Sequence, residues 1–584
     1  MTEEITGESS HASDPWPSPC RIPSTISAPK PQAASRRERT PALSGIDGNT
    51  IKADVADKPW DRRSRLPSVI LSLAAAATVI LSTSRYGAGL WPDSVNYVSA
   101  ARSFAAGKGL IGYDGVPLVR FAPLYPVLLG SISRATGLDP LSYAHVVNAV
   151  LLAAIVCLSG FLLSRYVTFS PALAFVGTVA VLIVGPLVDV SVMAGSEPLF
   201  ILCVLLFFVS ARGYTMGAST ISLIAVTLSA AAASLIRYVG IVIIPVGVLL
   251  ILFRRETQLK PRILHLFGFL VTSAGSFGVW VTRNYLLTGT LLGPRHGSAS
   301  TVIENYHRVL VNVLSWFVGA LDGRLGLIRY VSAVVLASVP IAAVFALLRG
   351  RGITGLLARG DAAVRKVGLL LLFIVLYATF LIVSSTTTAY DAINDRLLSP
   401  IHAPVIVLLF VILDRSIGLL RAAPVGRYSR IGLLAVVAIW LLSPALTVAR
   451  SSLDRARRGA GGYSTVTWRE SPTIDFVERL APGERDVIYS DDPWAIRILT
   501  HRTASLSPER VFYRSSEAAN DISDFVGSWP EGGHGLLVWF GRTGKEWLFT
   551  PPDLQTIADF DTLAELDDGT IYSVRARSPT SNRD

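Results

Sequence analysis

Apolar and polar positions along this chain fall into long blocks. Residues 1–64 are rich in Ser, Pro, Ala, Thr and charge and carry no hydrophobic period, which predicts a disordered tail. Apolar segments follow at Leu66–Ser84, Tyr143–Leu163, Pro171–Val192, Pro198–Ala211, Ile221–Ile236, Val239–Phe253, Ile263–Val281, Leu327–Leu348, Val367–Ser384, Ile401–Leu413 and Ile431–Val448. A bilayer span needs roughly 20 apolar residues, with about 17–25 tolerated, so the pattern amounts to about 11 transmembrane helices. Phe121–Ile132 and Val309–Leu321 are short or interrupted by proline and predict helices lying in the membrane interface.

Beyond Arg450 the apolar runs shorten and charge rises. Asp475–Leu480 reads as a helix stopped by Pro482-Gly483, Asp486–Ser490 as a strand, and Pro493–Thr500 as a short helix that Asp491-Asp492 would cap. His534–Phe540 reads as a buried strand, and Thr562–Glu565 and Ile571–Val574 as a pair turning at Asp568-Gly569. The expected fold class is a polytopic α-helical membrane protein with a small C-terminal extracytoplasmic α/β domain. Its expected parts are a tail at 1–64, a transmembrane catalytic domain at 65–450 with an outer loop at 85–142, and the α/β domain at 451–584.

Composition agrees with the blocks. The chain of 584 residues is 51% hydrophobic and 16% charged, with a mean hydropathy of +0.49, where soluble domains carry roughly 25% charge. Its net charge of +11 suits basic cytoplasmic loops as well as it would a nucleic-acid partner, and no nucleic-acid motif accompanies it. The cysteines, Cys20, Cys157 and Cys203, have neither metal-ligand nor disulfide spacing.

Charge also orients the chain. The cluster Asp61-Arg62-Arg63-Ser64-Arg65 precedes the first span, and the connections Arg254–Arg262, Arg349–Lys366 and Asp414–Arg430 are basic. The positive-inside rule then puts the N-terminus in the cytoplasm, and Arg85–Ser142, Thr282–Gly326, Ser385–Pro400 and everything after Arg450 outside. No cleavable signal peptide is visible, and a multi-pass protein of a bacterial plasma membrane is expected.

The first outer loop carries candidate chemistry. A helix starting near Pro92 puts Asp93, Asn96, Tyr97 and Ala100 on one face. Taken alone, Asp93 reads as an N-cap, since Asp is among the preferred caps. Asp189 and Glu197 flank the next outer turn, and Glu197 beside Pro198 suits a helix start. Two acids on one cavity could hold a divalent cation, but no spacing compels it, and the metal stays open. His402 reads as structural, and Gly541-Arg542-Thr543-Gly544-Lys545 lacks the spacing of a nucleotide-binding loop. Trp280, Trp316 and Trp440 read as interface anchors.

These pieces stand in a series: Asp93, Tyr97, Ala100-Ala101-Arg102, Gly107-Lys108-Gly109, then Arg120 and Pro123-Leu124-Tyr125-Pro126 before a span. Ser196-Glu197-Pro198, Arg237-Tyr238-Val239-Gly240, Arg283-Asn284-Tyr285 and Asp395-Arg396-Leu397-Leu398-Ser399-Pro400 follow in order. Over about residues 66–420 the series resembles the C-type (GT-C) integral membrane glycosyltransferases. Within them it is closest to the branch of the protein mannosyltransferases and lipid A aminoarabinose transferases, which is glycosyltransferase family 39-like. Many relatives have Asp-Glu where this chain has Asp93-Ser94. The resemblance implies a polyprenyl-phosphate sugar donor, a glycan, lipid or protein acceptor of the cell envelope, and an acid of the first loop at the reaction.

Chemistry gives that expectation roles. A departing phosphate needs cations, and an acceptor hydroxyl needs a base. Asp93 and Glu197 are the candidate catalytic acids. Arg102, Lys108, Arg120, Arg237, Arg283, Arg295 and Arg396 are candidates for the phosphate, with Arg237 and Arg396 favoured, and Tyr97 and Tyr125 are further substrate-binding candidates. The C-terminal domain is expected to position the acceptor. A transporter or flippase of a lipid or small solute is the alternative, favoured by acids at mid-membrane depth. A ligand-binding receptor is a third reading, for which so many spans are excessive.

Overall fold

The computed structural model describes residues 62–577 apart from 169, 218, 255–257, 320–322, 351–361, 421–427, 481–486 and 543. The expected tail lies outside the described residues up to position 61, as do parts of the basic connections and Pro482-Gly483. Every apolar segment of the sequence forms helix. In chain order the helices are α1 (Arg62–Ser82), α2 (Pro92–Ala105), α3 (Leu124–Thr136), α4 (Pro140–Tyr166), α5 (Pro171–Ile183), α6 (Leu187–Ser191), α7 (Glu197–Gly217) and α8 (Thr220–Ile236). A 3-10 turn at Tyr238–Val242 leads to α9 (Ile243–Leu252), then α10 (Leu259–Thr288), α11 (Val302–Val318), α12 (Gly323–Gly350), α13 (Ala362–Thr387), α14 (Asp395–Leu420) and α15 (Tyr428–Arg458).

Among the described residues seven helices are long and apolar enough to cross a membrane, in α1, α4, α7, α10, α13, α14 and α15. Four shorter apolar stretches join them, at Pro171–Ile183, Thr220–Ile236, Tyr238–Leu252 and Gly326–Ser338. One reason for the shortness is local: Val184 to Pro186 separates α5 from α6, with Gly185 at φ +104°, so Pro171–Val192 is two helices. The helices share a core in which Phe200, Phe207, Phe208, Phe373, Tyr377 and Phe410 are buried. Their other faces leave Leu73, Ile221, Leu228, Phe267 and Val279 exposed, an apolar exterior suited to lipid. The chain is a multi-pass, mostly helical membrane protein. Trp316 and Trp440, expected as interface anchors, are instead buried, and their indoles donate to Asp395 Oδ1 at 2.7 Å and to the Phe317 carbonyl at 2.8 Å.

The C-terminal sheet has five strands, β1 (Val487–Ser490), β2 (Ser505–Leu506), β3 (His534–Trp539), β4 (Ala558–Leu566) and β5 (Gly569–Ala576), in the order β2-β1-β3-β5-β4. β1 runs parallel to β2 and β3, and β5 is antiparallel to β3 and β4. The β4–β5 hairpin turns at Asp567-Asp568, next to the expected place. Asp492 is the N-cap residue of the helix at Pro493–Thr500, its carbonyl accepting the Ala495 N–H at 3.1 Å, but its side chain makes no capping hydrogen bond. Asp491 accepts the Phe540 and Gly541 backbone N–H groups at 3.0 and 3.2 Å, and Asp492 accepts the Tyr463 hydroxyl at 2.6 Å beside Lys545.

One short segment ties sheet domain and helices together. Gly89 pairs with Val192 and Ala194, and Leu90 pairs with Gly461 and Tyr463, at 2.8–3.1 Å. Residues 89–90 thus lie as a bridge between the turn before α7 and the chain leaving α15. Gly462 is needed there: its φ is +55°, and a Cβ would strike the Leu90 carbonyl. The bridge leads directly into Trp91 and α2.

Candidate functional site

Each central side chain is aimed by a helix end. Trp91, extended at φ −96° and ψ 171°, is the N-cap of α2. Pro92 follows at the first helical position, where its fixed φ suits a helix start. The Trp91 N–H is taken by Ser94 Oγ at 3.1 Å. Asp93 is therefore a first-turn residue and not the cap, and its carboxylate turns away from the helix. Glu197 opens α7 and is 1% exposed. Gly195 leaves room for it, since a Cβ there would come within 2.5 Å of Glu197 Oε2. Arg237 leaves α8 with extended backbone, φ −145° and ψ 136°. The 3-10 turn after it presses Gly240 against Ala233, where no side chain fits. Arg396 lies in the first turn of α14, whose Leu397 N–H is capped by Asn394 Oδ1 at 3.1 Å.

These ends converge. Arg396 Nη1 lies 2.7 Å from Asp93 Oδ2 and 3.6 Å from Glu197 Oε1, while its Nη2 lies 2.6 Å from Asp391 Oδ2. Arg237 Nη1 pairs with Glu197 Oε1 at 2.6 Å and donates to Ser196 Oγ at 3.1 Å. Ser196 Oγ also meets the Tyr97 hydroxyl at 3.2 Å. The Trp91 ring covers the Arg396 guanidinium at 4.8 Å, a cation–π contact that limits its hydration. Burial pushes the Tyr97 hydroxyl above its ordinary range, so it stays protonated. Asp93 and Asp391 keep about a third and nearly half of their side chains exposed, so the cluster opens to solvent on their side while Glu197 seals its floor.

Chemically, two guanidiniums are held side by side by three carboxylates, with fork nitrogens that match phosphate oxygens. Among the described residues no three His, Cys, Asp or Glu side chains converge as a metal-binding group. The carboxylates of the cluster face arginines.

The structure gathers Asp93, Glu197, Tyr97, Arg237 and Arg396 from the expected residues, with Tyr125 buried edge-on to Tyr97 at 5.3 Å. The others lie elsewhere. Arg102 forms a two-nitrogen pair with Asp139 at 2.7 and 3.1 Å. The Asp139 carboxyl is opposed in ionising by burial but held below its ordinary range by that arginine. Lys108 and Arg120 are exposed on the loop between α2 and α3. Arg283 donates to the Leu118 carbonyl at 2.8 Å and to Asn284 Oδ1 at 3.0 Å. Arg295 donates to the Arg120 carbonyl at 3.4 Å. Arg283 and Arg295 thus fasten residues 118–120. Asp189, expected near Glu197, pairs with Arg455 at 2.6 Å. Of the residues that complete the cluster, Ser196 stands in a quoted motif without a role, Trp91 directly precedes the helix start at Pro92, and Asp391 shares the outer connection Ser385–Pro400 with Arg396. Asp391 was nearest to legible, five residues before Arg396.

The helical membrane body with its small sheet domain has the fold of C-type membrane glycosyltransferases of known structure. The structure of ArnT from Cupriavidus metallidurans bound to undecaprenyl phosphate superposes with a TM-score of 0.56 at 13% identity, over 86% of this chain and 97% of that one. The apo state of the same protein gives 0.55 at 13% identity over the same shares. Arabinofuranosyltransferase AftD from Mycobacteria gives 0.47 at 15% identity, over 89% of this chain and 40% of that one. No protein-family model matches the sequence, and no curated protein matches it.

Proposed function

We propose that the chain is a glycosyltransferase that moves a sugar from a polyprenyl-phosphate donor to an acceptor hydroxyl on the outer face of the membrane. The observation that carries this reading is Arg396, held between Asp93 and Glu197 at 2.7 and 3.6 Å beside Arg237. A fold shared with a protein solved with undecaprenyl phosphate supports it.

In the proposed step the acceptor oxygen attacks the anomeric carbon of the donor sugar. Its proton passes to Asp93, and the bond from that carbon to the phosphate oxygen breaks, with the electron pair leaving on the phosphate. Arg396 and Arg237 stabilise the charge that develops there. Glu197, sealed beneath them, orients the two guanidiniums and does not meet substrate. Asp93, the more accessible acid, is the base.

The reading includes about 11 spans, a cytoplasmic N-terminus, and the domains 65–450 and 451–584, with the second outside a plasma membrane. Reporter fusions at the two ends test that topology; both ends on one side would overturn it. The function is tested by incubating membranes that contain the protein with labelled polyprenyl-phosphate sugars. Consumption of at least one, absent from control membranes, is expected. Consumption of none would remove the assignment.

A further inference from the structure

The sheet domain reaches the charge cluster through one loop. In residues 510–517 the Phe512 ring stacks on His296 with centroids 3.4 Å apart, and Glu517 Oε1 accepts the Gly297 N–H at 3.0 Å. The Arg514 carbonyl accepts the Ala299 N–H at 3.2 Å, and the His296 carbonyl accepts the Ala389 N–H at 2.9 Å. Three segments far apart in sequence, 296–299, 389–391 and 512–517, are thereby locked into one joint. At its centre the Tyr513 hydroxyl donates to Asp391 Oδ1 at 3.2 Å, while Asp391 Oδ2 holds Arg396 Nη2 at 2.6 Å. The Tyr513 ring rests edge-on to Trp547 at 5.5 Å, which fixes its direction.

We infer that Tyr513 is a positioning residue for the reaction: through Asp391 it sets the orientation of the Arg396 fork, and so couples the C-terminal domain to the transfer site. This rests on the proposed glycosyltransferase reading. Asp391 sits on a loop with 44% of its side chain exposed. An exposed carboxylate on a loop samples several rotamers, each turning the guanidinium differently. A second hydrogen bond on its other oxygen removes that freedom. The phenol is suited to the task. Burial, reinforced by the neighbouring Asp391 charge, raises its ionisation above the ordinary range, so it remains a donor. Because Arg396 Nη1 simultaneously faces Asp93, any rotation at Asp391 displaces the proposed phosphate ligand relative to the proposed base.

The test is a double-mutant cycle on the full-length protein in membranes, with Tyr513→Phe, Asp391→Asn and the pair together. The phenylalanine keeps the ring against Trp547 and removes only the hydroxyl. Turnover of a polyprenyl-phosphate sugar should show kcat lowered by roughly three- to tenfold in Tyr513→Phe, the scale of one hydrogen bond to a charged group at a half-exposed site, with KM for the donor little changed. Arg514 Nε also donates to this hydroxyl at 3.3 Å but holds no group of the charge cluster. In the Asp391→Asn background the same change should therefore have no further effect on turnover, because the path from the hydroxyl to Arg396 runs through that carboxylate. An equal fall in both backgrounds, or no fall in the first, would overturn the inference. If the wild-type protein consumes no such donor, the functional reading fails separately. Apparent unfolding midpoints of the four proteins then judge the joint: non-additive shifts uphold it, and additive or absent shifts overturn it.

Discussion

Arg396 donates to Asp93 across 2.7 Å although 303 positions separate them in the chain. The two lie in the first turns of α2 and α14, and the bridge at Gly89–Leu90, which leads into α2, ties its start to the turn before α7 and the chain after α15. The pair joins the proposed base to the proposed phosphate ligand, so the main predictions start there.

Replacing Arg396 by Lys keeps a charge but loses the fork, so one of its two hydrogen-bonded carboxylates, Asp93 or Asp391, is released. Turnover should fall by roughly tenfold or more, as the loss of one charge-assisted hydrogen bond of about 1.5–3 kcal/mol implies, and Arg396→Ala should fall further. Wild-type turnover in both variants, at normal expression, would take Arg396 out of the site.

Asp93→Asn separates chemistry from architecture. Asp93 is not the N-cap residue of α2, so the helix start does not depend on its carboxylate, and an amide oxygen can still accept from Arg396. An amide cannot take up a proton, and loss of a general base typically costs about 10²–10⁴-fold in rate. Donor binding should survive while transfer falls by about that factor. Transfer near the wild-type rate would take Asp93 out of the role of base.

Arg237 has a structural consequence as well. Its partner Glu197 is 1% exposed, and removing one member of a buried pair costs about 3–5 kcal/mol because a charge is left behind. Arg237→Ala should unfold at markedly lower temperature in detergent, and adding Glu197→Gln should restore part of the loss. No recovery in the double variant would mean that the arginine acts by packing alone.

The sheet domain should be acid-sensitive at Asp568. Burial opposes its ionisation, but hydrogen bonds from Ser471 and Thr473 and the Arg542 charge outweigh this and hold the carboxyl below its ordinary range. A depressed folded-state value means that its stabilisation is complete above the unfolded carboxylate pKa of about 3.9 and is lost as pH falls through the folded value. Thermal unfolding followed by tryptophan fluorescence should therefore drop more steeply below about pH 4 in the wild type than in Asp568→Asn. Parallel pH profiles would reject this role.

What the sequence determined by itself is what depends on local pattern. Apolar blocks near the length of a bilayer can satisfy their backbone hydrogen bonds only as helices, so each predicted segment is helical. The turn signals Pro482-Gly483 and Asp568-Gly569 and short alternating runs likewise placed β1, β3 and the β4–β5 hairpin within a few residues. The motif order also picked out Asp93, Glu197, Arg237 and Arg396. Only the tertiary structure decided which cations join the acids. Arg102 and Arg283 stand in motifs as plausible as those of Arg237 and Arg396, yet Arg102 is held by Asp139 and Arg283 by the Leu118 carbonyl. A guanidinium reaches several angstroms from its backbone and takes whichever oxygen the packing presents, so sequence position does not specify its partner. The same holds for Tyr513, 122 positions from Asp391, where no local signal exists and only the docking of the loop at 510–517 sets the contact.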